Sequence, residues 1–225
     1  TGDLDRQYAL ASWLQPETNE IMLQSGEERS IEVRIENRDD LSPGGHYGAL
    51  IFKNVSAVRS DVSNVSVNQI FSSLIVVKKI QGALYGLKLD SVLYQEAWWR
   101  FDPTLTPRFH NTGNVHVVPR GEVSVKDPLG RITYRGVINE GSTMVLPESF
   151  REYPIELFPL KKAIIPGYYS IELGYRYDGK EVMESWTKSV FFIPPLLTLA
   201  TLLGAGISFV SFIWWQRRKK VSAAG

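Results

Sequence analysis

Apolar and polar residues alternate over short stretches through most of the chain. In SIEVRIEN, residues 30–37, an apolar side chain takes every second position and charged side chains lie between them. A period of two places the apolar residues of an extended strand on one face, so this stretch predicts a half-buried strand. Residues 47–53, 69–80 and 84–95 are rich in aliphatic and aromatic residues and predict further strands.

Turn sequences separate the strands predicted in the second half of the chain. EVSVKD, residues 122–127, alternates, and DPLG, residues 127–130, places proline and glycine at the second and fourth positions of a β-turn. Residues 131–138 complete this predicted hairpin. More strands are predicted at 143–157 and, on either side of the turn sequence YDG, at 167–177 and 181–193.

Short strands at regular spacing predict an all-β ectodomain made of two Ig-like β-sandwich domains, at residues 1–83 and 84–192. Between two of the strands lies the stretch 54–68, which is rich in Ser, Val and Asn. It predicts a long surface loop, with a binding loop as the alternative.

The pattern changes to an unbroken apolar stretch near the C-terminus. Residues 193–215 carry no charge and are followed by QRRKK. A helix of about 20 residues, at about 1.5 Å each, spans the hydrocarbon core of a bilayer, which is about 30 Å thick. We therefore predict one transmembrane helix at 193–215, in contact with membrane lipid, and a short basic cytoplasmic tail at 216–225. A buried core helix is the alternative.

The residues around this segment predict a topology. Basic residues after a span favour the cytoplasmic side, and tryptophans favour the headgroup interface. The chain is thus predicted to cross the bacterial plasma membrane once, with the N-terminal part outside and an upstream signal cleaved or left out of the sequence. A tail anchor with a cytoplasmic body is the alternative. The anchor and topology residues are Trp214, Trp215, Arg217, Arg218, Lys219 and Lys220.

Small residues recur every four positions within the same segment, at Ala200, Gly204 and Ser208. Such a face lets another helix approach closely, so these residues predict a transmembrane-helix partner.

Charge and cysteine content narrow the function classes. The formal net charge is +1, and because the basic tail contributes four positive charges, the rest of the chain is slightly acidic. This distribution gives no electrostatic case for nucleic-acid binding. The absence of cysteine excludes disulfides, thiolate metal sites and cysteine nucleophiles, and it favours a bacterial source for a surface protein.

Two of the three histidines lie in FHNTGNVHVVPRGEVSVKDPLGR, residues 109–131. In one extended strand His110 and His116 would stand about 20 Å apart, at about 3.3 Å per residue, which is too far for one ion. If NTGN turns the chain, Phe109 and His110 come close to Val115 and His116. A zinc site would still need one or two more ligands, so we predict no metal and no cofactor.

Motifs of catalysis are also missing from the sequence. It contains no GxSxG, no P-loop and no spaced acidic calcium loop, so we predict that the chain is not an enzyme. Aromatic residues favour a binding role. Trp98 and Trp99 are adjacent, and neighbouring residues of a strand point to opposite faces, so at least one points away from the core and is predicted to contact a partner. Inter-sheet packing is the alternative.

Four pieces of the sequence carry a family resemblance when taken in order. The pieces are LSPGGHYGALIF at 41–52, the histidine stretch at 109–131, VLPESFREYPIEL at 145–157 and IPGYYSIELGYRY at 165–177. They resemble bacterial surface proteins with DUF916-type Ig-like domains, which are related to the WxL-interacting proteins of Gram-positive cell surfaces. The resemblance covers nearly the whole region before the apolar segment and extends to the single C-terminal helix and basic tail.

In the WxL-interacting family the first domain is assigned to peptidoglycan binding and the second to host or matrix binding. The resemblance therefore implies a membrane-anchored bacterial cell-surface protein whose Ig-like domains bind cell-wall polymer or protein partners, in adhesion or scaffolding. The alternative is an accessory structural subunit of a membrane protein complex, assembled through the transmembrane helix and the ectodomain. No binding residue is transferred from the family.

Overall fold

The computed structural model describes residues 8–37, 39, 41–53, 70–94 and 104–222, except for the side chains of residues 12, 195–198 and 215–222. The loop predicted at 54–68 lies outside these residues. The chain divides into two compact units. Unit 1 comprises Thr1–Gly86, Thr112–His116 and Leu146–Glu148, and unit 2 comprises Leu87–Asn111, Val117–Val145 and Ser149–Gly225.

Unit 1 contains two antiparallel strand pairs in its described part. A 3₁₀ turn precedes β1, which pairs with β2, and the longer strands β3 and β4 pair with Gly44 opposite Lys79 and Lys53 opposite Ile70. The elements are the 3₁₀ turn Ala11–Trp13, β1 Leu14–Pro16, β2 Val33–Ile35, β3 Gly44–Lys53 and β4 Ile70–Lys79.

Unit 2 contains two β-sheets and a C-terminal helix. Strand β6 lies between β5 and β10 and also pairs with β9, while the second sheet has the order β11-β8-β7-β12-β13. The elements are β5 Leu87–Tyr94, β6 Thr104–Asn111, β7 Arg120–Lys126, β8 Ile132–Ile138, β9 Phe150–Glu152, β10 Ile155–Glu156, β11 Phe158–Pro159, β12 Gly167–Tyr177, β13 Lys180–Phe192 and α1 Pro195–Ser222.

The core of unit 2 lies between its two sheets. Alternate residues of β6 and β12 are buried, as expected for strands with one face on a core and the other toward solvent. Phe109 of β6 contacts Tyr175 of β12 edge to face, with ring centroids 4.8 Å apart. Two sheets that share one apolar core have the layered arrangement of a β-sandwich.

The turn predicted at residues 127–130 is present, and Asp127 organises it. The Gly130 amide donates to the Asp127 carbonyl at 2.8 Å, and Gly130 has a φ of 77°, a conformation that glycine adopts without strain. Side-chain oxygens of Asp127 accept hydrogen bonds from the amides of Leu129 and Arg131 and from the Arg131 guanidinium, at 2.7 to 3.0 Å. The turn therefore has both a backbone and a side-chain cause.

The prediction of a transmembrane helix at 193–215 is corrected by the structure. Helix α1 is present, but no helix within the described residues combines the length and the apolar character that crossing a membrane requires. The all-β body is the part of the predicted fold class that remains.

Two other expectations also change. The described strands of unit 1 form two separate pairs, so by themselves they do not form the first Ig-like sandwich, which would need about seven strands. The alternative in which His110 lies across a hairpin from His116 is not the observed pairing, because β6 pairs with β5 and β9 and places His110 opposite Lys88 and Phe150.

Candidate binding surfaces

The two histidines of the 109–131 stretch belong to different units and have different neighbours. His110 lies on β6 in unit 2, where its ring stacks on Phe150 at a centroid distance of 4.1 Å. The Arg108 guanidinium contacts the same phenyl ring, 4.5 Å from its centroid. The His110 imidazole is therefore part of an aromatic and cationic stack between neighbouring strands.

His116 belongs to unit 1 and contacts Tyr47. The Tyr47 hydroxyl lies 3.1 Å from His116 Nδ1, and the two rings meet edge to face. Burial raises the pKa of Tyr47, the hydrogen bond to His116 lowers it, and the nearby Tyr8 raises it, with a net upward result. A raised pKa keeps the phenol protonated at neutral pH, so the hydroxyl can donate to His116 Nδ1.

His46 lies beside Tyr47 on β3 and is almost completely buried. Its Nε2 atom lies 2.8 Å from the Ser42 carbonyl, so Nε2 donates this hydrogen bond, and the Trp13 ring stacks on the imidazole. Its Nδ1 atom has no hydrogen-bond partner. Nε2 therefore carries a proton, because a carbonyl oxygen can only accept.

These side chains do not make a metal centre within the described residues. In that part of the chain, no group of three or more His, Cys, Asp or Glu side chains has the arrangement to hold an ion. A zinc site needs at least three protein ligands, and Tyr47 already occupies Nδ1 of His116. The arrangement is a polar and aromatic core for unit 1.

Asn114, which lies between His110 and His116 in the sequence, holds several segments of unit 1 together by hydrogen bonds. Its Oδ1 accepts from the Leu84 amide at 2.7 Å, and its Nδ2 donates to the carbonyls of Pro43 and Gly82 at 3.2 Å. Its own carbonyl accepts from the Gly45 amide at 2.8 Å. One residue therefore connects the SPGGH segment, the turn after β4 and the TGN segment of unit 1.

The far end of the β3–β4 hairpin in unit 1 exposes several large apolar side chains. We call residues 50–53 and 70–74 the hairpin end. Ile51, Ile70 and Leu74 share one face by register, and each is more than half exposed. The opposite face presents Phe71, which is 64% exposed, together with Phe52, its cross-strand neighbour. Both faces of the hairpin end are thus apolar and open.

The edges of the hairpin end are open as well. Within the described residues, β4 pairs only with β3, and the outer edge of β3 has a neighbour only at its beginning, where Ala9 bridges Tyr47. Unpaired N–H and C=O groups along a strand edge can accept a further strand. A two-stranded sheet with two exposed apolar faces is only marginally stable by itself, so a partner that covers it would stabilise it.

The predicted helix-packing residues lie on α1, and the helix partner expected for them stays a prediction. Ala200, Gly204 and Ser208 follow one another at every fourth position, and the Ser208 hydroxyl donates to the Gly204 carbonyl at 2.8 Å. A Cβ atom added at Gly204 would meet nothing within 4 Å. The hydroxyl is therefore bonded within its own helix.

The other predicted residues give less geometry. Trp214 lies on α1 with its side chain 56% exposed. The backbone of Trp215, Arg217, Arg218, Lys219 and Lys220 is helical, and their side chains are not among those described. Trp98 and Trp99 lie outside the described residues.

The hairpin end was missed from the sequence, although a signal is present. Leu50, Ile51 and Phe52 are consecutive apolar residues, which break the alternation expected of a strand with one solvent face. Consecutive apolar residues usually indicate a strand covered on both faces.

No protein-family model matches the chain, and no curated protein matches it closely enough to count as a relative. The resemblance to DUF916-type proteins therefore stays a prediction.

Proposed function

We propose that this chain is a non-catalytic binding protein of the bacterial cell surface, and that it binds an extended segment of a protein partner at the hairpin end. The observation that carries the proposal is the combination, in residues 50–53 and 70–74, of two exposed apolar faces with two open strand edges.

The occupant follows from this combination. The unpaired N–H and C=O groups of an open strand edge need hydrogen-bonding partners. The backbone of an extended polypeptide supplies such partners at the spacing of a strand. Because both faces of the hairpin end are apolar, side chains at the odd and at the even positions of the added segment would each lie beside an apolar face. A polysaccharide offers hydroxyls and ring faces but no matching backbone ladder, so a protein segment fits better than a cell-wall polymer. The sequence resemblance to the WxL-interacting proteins supports the surface location.

Peptide selection on the whole protein tests the proposal. A library of random ten-residue peptides is selected against the wild-type chain, and the recovered peptides are expected to carry consecutive apolar residues, because both faces of the hairpin end are apolar. Hydrogen exchange is then measured with and without a selected peptide. Amides within 48–53 or 70–74 should exchange more slowly when the peptide is bound, because strand addition gives them carbonyl partners.

Two variants and one control sharpen the result. Phe71→Ser removes an apolar side chain from one face of the hairpin end, and Ile51→Ser removes one from the opposite face. Each substitution should weaken peptide binding about tenfold, since a buried apolar side chain contributes about 1.5–3 kcal/mol. Val182→Ser removes a similarly exposed side chain from β13 in unit 2 and should leave the affinity unchanged.

Three outcomes contradict the proposal. Protection confined to other amides would place the peptide elsewhere. Binding of purified peptidoglycan that depends on Phe71, with no peptide binding, would identify a polymer as the occupant. A concentration-dependent dimer in sedimentation, lost in Phe71→Ser, would identify a second copy of the chain.

A further inference from the structure

Two arginines stand directly opposite each other on the outer face of the five-stranded sheet in unit 2. Arg176 of β12 pairs in register with Arg120 of β7, and both are exposed. Side chains of directly opposed residues in an antiparallel pair have Cβ atoms about 4.5–5.5 Å apart, and like charges at that separation destabilise the sheet. The pair is therefore an unfavourable arrangement in the absence of a counter-charge.

Other cations on the same face have such a counter-charge. Lys126 pairs with Glu172 at 2.6 Å, and Arg135 lies 3.8 Å from Glu122. Within the described residues, Arg120 and Arg176 have neither a salt bridge nor a side-chain hydrogen bond. On the described part of this face, Lys126 and Arg135 each have an acidic partner, whereas Arg120 and Arg176 do not.

Arg120 and Arg176 both line a cleft at the β12–β13 turn. Tyr175 pairs with Glu184 and Tyr177 pairs with Lys180, so Arg176 stands opposite residues 181–183 and the extra residues of this bulge belong to β13. Bulges re-aim side chains and are common beside binding sites. The cleft has a volume of about 380 Å³, and its lining includes Arg120, Arg176, Tyr177, Asp178, Lys180 and Glu181. That volume is in the range of small-ligand sites.

The remaining charges of the cleft do not neutralise the arginines. Lys180 donates to Glu184 and lies 5.9 Å from the centre of the Tyr177 ring. The carboxylates of Asp178 and Glu181 line the cleft without a salt bridge to either arginine. Two guanidinium groups, each with a planar set of donors, are left for an oxyanion.

We propose that the cleft at the β12–β13 turn binds an oxyanion of the phosphate or carboxylate class, held between the guanidinium groups of Arg120 and Arg176. The ligand neutralises the opposed charges and thus stabilises the sheet in which they lie. This site is in unit 2 and does not depend on the hairpin end of unit 1, so either proposal can fail without the other.

Titration of the whole protein with inorganic phosphate tests the site. The Nε–Hε signals of the arginines are followed by NMR at constant ionic strength, set with sodium chloride because screening weakens exposed ion pairs. Arg120 and Arg176 signals should shift together and saturate. Arg120→Gln and Arg176→Gln should each weaken binding about tenfold, and the double variant should show no saturation.

A matched control separates a local site from general attraction. Arg135→Gln removes the same charge from the same face, outside the cleft, and should keep the dissociation constant within about twofold, since it leaves both guanidiniums in place. Saturation of the double variant with the wild-type constant would overturn the proposal, and so would an equal loss in Arg135→Gln.

Two further ligands distinguish the sources of the oxyanion. A short poly(glycerol phosphate) represents phosphodiester polymers, and succinate represents carboxylates. If one of these two ligands binds more tightly and its binding is lost in the double variant, that ligand identifies the class of the oxyanion. If neither of them binds and phosphate does not bind either, the site is excluded. Phosphate should also raise the Tm of the wild type above that in chloride and leave the Tm of the double variant unchanged.

Discussion

Two long hairpins, β3–β4 in unit 1 and β12–β13 in unit 2, differ in what covers them. Strand β12 lies between two neighbours and buries alternate residues, among them Tyr169, Ile171 and Leu173. Strand β4 has one neighbour within the described residues, and its first five residues are all exposed. Strand length alone therefore does not make a core; a hairpin becomes structural when one face is covered, and it remains available to a partner when neither face is.

Removal of a covered side chain should have the largest effect. Leu173→Ala in β12 deletes a fully buried side chain from the sandwich core. We expect unit 2 to lose about 2–5 kcal/mol of its free energy of unfolding, because the cavity adds to the lost transfer free energy. Urea unfolding followed by NMR signals of unit 2 measures this loss. A change below about 1 kcal/mol would show that the two sheets do not share a tight core.

Removal of a cross-strand contact between β12 and β13 should lower the stability less than Leu173→Ala does, and the loss should depend on pH. Glu184 accepts hydrogen bonds from Lys180 and from the Tyr175 hydroxyl, and the pKa of its carboxyl is lowered, first by Lys180 and then by Tyr175. A lowered folded-state pKa gives stability that is present above the unfolded-state pKa and is lost as the pH falls through the folded one.

Glu184→Gln tests this contact. We expect its Tm at pH 7 to be lower by a few degrees at most, because the group is partly exposed and solvent screens the pair. The wild type should lose this advantage as the pH is lowered below the ordinary glutamate range. Scanning calorimetry from pH 7 to pH 3 measures both curves, and parallel curves would contradict the assignment.

The hairpin end should give the smallest effect on stability. Leu74→Ala shortens a side chain that is 65% exposed, so we expect a change within about 0.5 kcal/mol in the unfolding of unit 1. The contrast with Leu173→Ala compares the same substitution on the two hairpins. A loss comparable to that of Leu173→Ala would mean that the hairpin end is covered in the isolated protein, and it would also weaken the proposed binding role.

The comparison also shows which features could be predicted from sequence. Residues 167–177 alternate strictly, so strand β12 and its buried face follow from periodicity. The turn at 127–130 follows from local chemistry, since Asp127, Pro128 and Gly130 each favour it without distant contacts.

Features that depend on distant pairing could not be predicted. The bond between Tyr47 and His116 joins residues 69 positions apart, and Arg120 faces Arg176 only through the strand register. The apolar residues at 50–52 predicted a strand but could not show that, among the described strands, only β4 pairs with it over these residues. The uncharged segment at 193–215 predicted a helix, which is present as α1, and a membrane span, which is wrong because no helix of the described residues is both long and apolar enough.

The assignment of Thr112–His116 to unit 1 has a consequence for synthesis of the chain on the ribosome. Unit 1 depends on Asn114 and His116, which are made after the whole of its first 86 residues. At about 5–20 residues per second, translation adds the intervening stretch in roughly 1–5 s. During that interval the SPGGH segment and the turn after β4 lack the residue that connects them. Unit 1 therefore cannot finish folding as an independent N-terminal domain, and a chain stopped before residue 112 would leave it incomplete.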